Sequence, residues 1–181
     1  MAKIPDIKEE IKIPDGVEAS KNDKGEITIK GEKGSLNRVF SHPKINIKIK
    51  DDSITLTCKN PRRKEKALLG TFVGHIKNMV KGVNEGFEYK MKTVFSHFPV
   101  KTTMEGNELI VKNFLGEKSP RKIKIPEDIE VKTKGEDITV SGINKERVGQ
   151  TVADIERLCK IKKWDIRVFQ DGIYKVSSGG T

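Results

Sequence analysis

Short runs of alternating apolar and polar residues, each interrupted by a turn signal, recur along this chain and predict strands. The clearest case lies within residues 123–161. There Pro126 leads a strand with Ile129 and Val131 on one face, Lys134-Gly135-Glu136-Asp137 marks a turn, and Ile138 and Val140 resume the alternation. Successive strand residues face opposite sides, so this pattern around a Gly/Asp turn predicts a β-hairpin. Gly142 ends the second strand and Asn144 offers a helix N-cap. Val148, Val152, Ile155 and Cys159 then recur at helical spacing and predict an amphipathic helix.

The same cell begins again at Ile11, Phe40 and Phe95, with leading prolines at Pro14, Pro43, Pro99 and Pro126. Pro14 and Pro99 are 85 residues apart, and Pro43 and Pro126 are 83 apart, so the larger repeat is about half the chain. Each half reads as two hairpins followed by one helix. The first half's helix is predicted over 61–80, with Asn60 as N-cap, Pro61 at the first helical position and a stripe of Leu69, Phe72, Val73, Ile76 and Val80. Residues 36–40 read as a further short strand and 87–98 as a strand linking the halves. Residues 1–10 read as an extended or frayed lead-in. Gly82 to Gly86 reads as helix stop and connector, with Gly82 in the left-handed position after the helix. The predicted fold is therefore α+β, with two duplicated domains, 1–82 and 83–181, each an antiparallel sheet of hairpins packed with one helix.

Charge narrows the function. Lys and Arg number 36 against 26 acidic residues, a net charge of +10, which favours a polyanion: nucleic acid or an anionic membrane. No apolar run approaches the 18–20 residues of a membrane span, and residues 1–10 lack a signal-peptide core, so a soluble, intracellular chain is expected. The hydrophobic content of 34% is lean, and a partner could add stability to such modest cores. Cys58 and Cys159 lie 101 residues apart without metal-ligand neighbours, and buried free thiols are the better reading, a lone disulfide staying open.

The cations fall into three groups. The segment 160–181 has no counterpart in the first half and combines Lys160, Lys162, Lys163, Arg167 and Lys175 with Trp164 and Tyr174. Cations neutralise phosphates and planar rings stack on exposed bases, a combination suited to RNA. The structural alternative is that Trp164, Ile166, Val168 and Phe169 pin an ordinary C-terminal segment. Arg121 and Lys122 lie in a second basic stretch, read as a loop. Arg62, Arg63 and Lys64 lie at the predicted start of the first helix, where the dipole favours anions, and Asn78 lies farther along it.

Other motifs carry less. His42 and His97 occupy matching Phe-Ser-His steps, which suggests turn chemistry. The Gly70-x-x-x-Gly74 spacing reads as permitting close backbone packing. Residues 31–35 lack the ending of a phosphate-binding loop. The acids are dispersed, so no catalytic residue, metal site or cofactor is indicated.

Four runs are specific. They are His75-Ile76-Lys77-Asn78-Met79-Val80-Lys81-Gly82-Val83 leading into Gly86-Phe87-Glu88-Tyr89-Lys90-Met91; Phe95-Ser96-His97-Phe98-Pro99-Val100; Val140-Ser141-Gly142-Ile143-Asn144-Lys145; and residues 165–174. On these the chain resembles the large-subunit ribosomal protein six family, in its archaeal and eukaryotic branch, over essentially its whole length. The resemblance implies a non-enzymatic constituent of the large subunit of the cytoplasmic ribosome, with two duplicated α+β domains and no cofactor. It implies binding to large-subunit ribosomal RNA, mainly through the second domain, beside the sarcin–ricin loop and the stalk base. It also implies neighbouring ribosomal proteins, translation factors nearby, no membrane, and a monomer within the ribosome.

Charge and position, rather than any family motif, rank the expected contacts. Lys160, Lys162, Lys163, Trp164, Arg167, Tyr174 and Lys175 come first, Arg121 and Lys122 next, then Arg62, Arg63, Lys64 and Asn78. Backbone and 2′-hydroxyl contacts should predominate on A-form RNA. Two other classes compete: an RNA-processing enzyme, which lacks a visible set of acids or metal ligands, and a protein adaptor using hairpin edges as strand acceptors.

Overall fold

The computed structural model describes residues 6–22, 25–50, 53–162 and 164–179. The chain divides into two compact units, 1–86 and 87–181. In the first, β1 (Ile7–Lys12), β2 (Glu18–Lys21), β3 (Glu26–Gly31), β4 (Gly34–Val39), β5 (Ile45–Lys50) and β6 (Ser53–Cys58) precede one helix, α1 (Arg63–Asn84). They form two antiparallel sheets, ordered β2-β3-β4 and β1-β6-β5. Alternation decides which face is buried. In β5, Ile45 and Ile47 are buried while Asn46, Lys48 and Lys50 are exposed. Leu69, Val73, Ile76, Val80 and Val83 of α1 meet Ile27, Ile29, Ile54 and Leu56 in one core. Removing each of these residues from water contributes roughly 1.5–3 kcal/mol.

The second unit repeats this plan. β7 (Phe87–Val94), β8 (Lys101–Glu105), β9 (Glu108–Lys112), β10 (Arg121–Lys124), β11 (Ile129–Lys134) and β12 (Asp137–Gly142) precede α2 (Lys145–Leu158). The orders β10-β9-β8 and β11-β12-β7 match those of the first unit strand for strand. Pro14 and Pro99 occupy the same connection in the two units, as do Pro43 and Pro126. Val148, Val152, Ile155 and Cys159 are all buried against the second core, as their spacing predicts. Asn144 caps α2 through its side chain, accepting the Glu146 and Arg147 N–H groups at 3.0 and 3.4 Å. The unit then adds β13 (Gly172–Gly179), antiparallel on the remaining edge of β7.

The structure corrects several expectations. Residues 7–10, expected in the lead-in, instead belong to strand β1, which pairs with β6 along its whole length. The first helix starts two residues later than predicted. Asn60 takes a left-handed backbone (φ +46°), Arg62 is the N-cap, and Glu65 accepts the Arg62 N–H at 2.7 Å. Nor does the helix stop at Gly82, which is buried inside it. Val83 is fully buried against Gly31, where a Cβ would lie 2.9 Å from the valine side chain and carbonyl, so packing carries the helix onward. The chain turns at Gly86 (φ +79°), four residues beyond the expected boundary, with its N–H on the Lys81 carbonyl at 3.3 Å. Gly70 and Gly74 do not serve close packing among the described residues: beyond its own stretch of helix, a Cβ at either would meet no atom of them within 4 Å.

Both cysteines are free and buried. His42 acts in a turn as expected, its Nδ1 accepting the Lys44 N–H at 3.3 Å. No group of three potential metal ligands occurs among the described residues, and no described helix is long and apolar enough to cross a membrane.

Candidate nucleic-acid interface

Strand β10 and helix α2 enclose a cleft of about 580 Å³, lined by Arg121, Lys122, Ile123, Asp154, Arg157, Leu158 and Lys162. A smaller depression of about 190 Å³ continues it along the same seam, past Lys124, Arg147 and Gln150. Arg121 and Lys122 are therefore strand residues rather than loop residues. Adjacent on β10, their side chains serve different ends.

Arg121 is turned into the fold. Its Nε and one terminal nitrogen bind both Glu117 carboxylate oxygens at 2.8 and 2.6 Å. The other terminal nitrogen donates to the carbonyls of Leu158 and Lys160 at 2.7 and 3.3 Å. Leu158 is the last residue of α2 and Lys160 follows its C-cap, so the guanidinium caps the helix terminus, where the dipole favours a cation. It also lies 4.3 Å from the centroid of the buried Phe114 ring. Only 22% of the side chain is exposed, and the Glu117 hydrogen bonds hold its pKa above the ordinary arginine value.

Lys122, Lys124, Lys160 and Lys162 differ. All four are exposed and none has a side-chain partner among the described residues. Lys122 and Lys162 line the cleft, Lys124 lines its continuation, and Lys160 directly follows the α2 C-cap. Arg157 and Arg147 flank them but are paired, with Asp154 and Asp128 respectively, each at 2.9 Å. Sequence reasoning left Arg147 and Arg157 unranked. The three-residue spacing of Asp154 and Arg157 on the predicted helix was the available signal for Arg157, whereas Arg147 meets Asp128 from 19 residues away and gave none.

The C-terminal segment is more structural than its composition suggests. Asp171 is buried and accepts the Ser96 hydroxyl at 2.8 Å and its N–H at 3.2 Å. The Lys175 N–H donates to Glu156 of α2 at 2.9 Å, and Ile173 is 1% exposed. Tyr174 donates its hydroxyl to the Gln170 carbonyl at 3.0 Å. Its ring lies over Gly172, where a Cβ would come within 2.9 Å of it. Trp164 is 57% exposed and packs on Phe169 with centroids 4.9 Å apart. Arg167 is exposed but bound to Asp165 through three hydrogen bonds, which hold the Asp165 carboxyl below the usual range. The Lys175 ammonium lies 5.5 Å from the Tyr89 ring centroid. Lys163 lies outside the described residues.

Arg62, Arg63 and Lys64 open α1 and are exposed, while Asn78 is half-buried on that helix and has an interaction of its own. All four belong to the first unit, whereas the β10–α2 cleft is built from the second.

Beneath the cleft, burial pushes the Cys159 thiol from 9.0 up to about 11, against an opposing pull from Arg121. The folded state thus keeps this proton to higher pH than the unfolded polypeptide. The resulting stabilisation is complete below pH 9.0 and is lost as pH rises towards about 11. It amounts to at most about 3 kcal/mol. Lysines titrate in the same range, so the check is a difference: urea midpoints should converge between wild type and Cys159→Val as pH rises through that window.

Comparison with known proteins agrees with this architecture. The profile of the family described as ribosomal protein L6 matches residues 13–86 and again 98–172, one match in each unit. The chain is 47% identical over 171 residues to large ribosomal subunit protein uL6 of Methanobrevibacter smithii, covering 94% of this chain and 96% of that protein. It is 47% identical over 173 residues to the Methanosarcina mazei protein of the same name, covering 96% and 98%. Against that of Methanosphaera stadtmanae the identity is 49% over 177 residues, covering 97% and 96%.

Proposed function

This chain belongs to the ribosomal protein L6 family, and we propose that it holds large-subunit ribosomal RNA chiefly through the lysines around the β10–α2 cleft. As a family member it is a structural, non-enzymatic constituent of the large ribosomal subunit. The observation carrying the proposal is the separation of roles among its cations. Arginines 121, 147, 157 and 167 are engaged by carboxylates, whereas Lys122, Lys124, Lys160 and Lys162 have no partner among the described residues. An unpaired surface ammonium gives up only water and counterions when it meets a phosphate, and counterion release drives association. Arg121 ties β10 to the end of α2, and Arg147 ties α2 to Asp128. Backbone and 2′-hydroxyl recognition of A-form RNA fits a cleft edged by exposed lysines.

Resemblance to the family points this surface at the sarcin–ricin loop and the stalk base, within reach of translation factors and neighbouring ribosomal proteins. Trp164 and Tyr174 supply exposed rings on the same unit, and Arg62, Arg63 and Lys64 form a secondary basic surface. Because Cys58 and Cys159 are buried, a thiol introduced by Lys122→Cys can be labelled selectively. An iron chelate tethered there should direct hydroxyl-radical cleavage to the sarcin–ricin and stalk-base RNA in assembled subunits. Cleavage confined to other regions would refute the placement.

A further inference from the structure

The two units match in every strand and differ at one sheet edge. β7 is hydrogen-bonded on both sides, by β12 and β13, whereas its counterpart β1 is bonded only to β6. Among the described residues nothing pairs with its other side. β1 runs in unbroken register with β6 from Ile7 opposite Cys58 to Lys12 opposite Ser53. Alternate N–H and C=O groups of such a strand point away from its neighbour, so the outer edge is a straight, bulge-free row of donors and acceptors.

We propose that the outer edge of β1 takes an extended, antiparallel segment of a neighbouring polypeptide, alternating aliphatic and basic residues, as the fourth strand of its sheet. The duplicated fold supplies the template. Register with the central strands equates Ile7, Glu9 and Ile11 with Phe87, Tyr89 and Met91. On β7, the added strand contributes the buried Ile173, and Lys175, whose ammonium lies over Tyr89. On β1, the residue equivalent to Tyr89 is Glu9, an exposed carboxylate on the face that carries the buried Ile11. A charge on the inner face of an edge opposes indiscriminate pairing and selects a strand that brings the opposite charge. Main-chain bonds would give affinity, and a Lys or Arg facing Glu9 would give specificity.

Two other occupants fit less well. RNA has no amide ladder to offer this edge, and Glu9 and Glu10 repel phosphate. A second copy pairing antiparallel through its own β1 would set Glu9 or Glu10 opposite an acid in the registers of fullest overlap, and like charges directly opposite destabilise a sheet.

Hydrogen exchange of the full-length protein, free and in assembled large subunits, tests this together with a benzophenone amino acid placed at Lys8. Residues 7–12 should exchange at least about tenfold more slowly in the subunit, with β7 protected in both states. The benzophenone should crosslink to a peptide of another ribosomal protein, and Glu9→Arg should lower that yield several-fold. Unchanged β1 exchange on assembly, or crosslinks to RNA alone, would overturn the proposal. A free dimer already protected at β1 would do the same. A yield indifferent to Glu9→Arg would remove the basic residue from it.

Discussion

Replacing Arg121 with alanine should destabilise the second unit by about 2–4 kcal/mol, because it strips partners from both an acid and a helix end. The side chain makes four hydrogen bonds, two to Glu117 and two to the carbonyls of Leu158 and Lys160. It also covers the Phe114 ring. Truncation leaves the carbonyls at and just beyond the end of α2 without this donor and Glu117 beside a cavity. For a unit of this size the melting temperature should fall by roughly 10–20 °C. Arg121→Lys should recover little, since a single ammonium cannot span the carboxylate and the carbonyls as a planar fork does. RNA binding measured per folded molecule should keep its salt dependence. A variant as stable as wild type, but with weakened RNA binding, would place Arg121 at the RNA instead.

Arg121 also marks where sequence reasoning ends. Its neighbours made the stretch basic, and charge alone could not tell a residue facing solvent from one folded back onto a helix terminus 37 positions later. The duplication, by contrast, was legible. Matching prolines and turn glycines punctuate both halves, and alternation identified the hairpins they separate. β1 escaped notice because Ile-Lys-Glu-Glu-Ile-Lys puts two adjacent acids in a strand that buries only Ile11. Its pairing with β6, some 45 residues distant in sequence, is what makes it a strand. The end of α1 was misplaced because glycine in a helix costs only about 1 kcal/mol, less than the burial of Val83 returns. The C-terminal segment has the composition of an RNA arm. Antiparallel pairing of Gly172–Gly179 with β7, invisible to periodicity, makes its last part a sheet strand, and bonds from Ser96 to Asp171 and from Lys175 to Glu156 tie it down.

The largest change in RNA binding is expected from replacing Lys122, Lys124, Lys160 and Lys162 together with alanine. Removal of one phosphate contact should flatten the plot of log affinity against log salt concentration by about 0.7–0.9, so removal of four should flatten it by roughly 3. Stability should hardly change, because exposed side chains without partners are typically worth within about 0.5 kcal/mol each. That separation distinguishes this set from Arg121, whose replacement should act on folding. Lys90 and Lys132 form a control pair: each lies near a glutamate, at 3.8 and 2.9 Å, and both side chains are exposed. Removing them lowers net charge without touching the cleft and should alter the slope by less than a single phosphate contact does. Arg167→Ala should fall between the two, since an arginine already bound to Asp165 must exchange that partner for a phosphate. The measurement is binding of each folded variant to transcribed large-subunit ribosomal RNA across a salt series. An unaltered slope in the quadruple variant would exclude the β10–α2 cleft as the anchor and leave Arg62, Arg63 and Lys64 as the next cluster to replace.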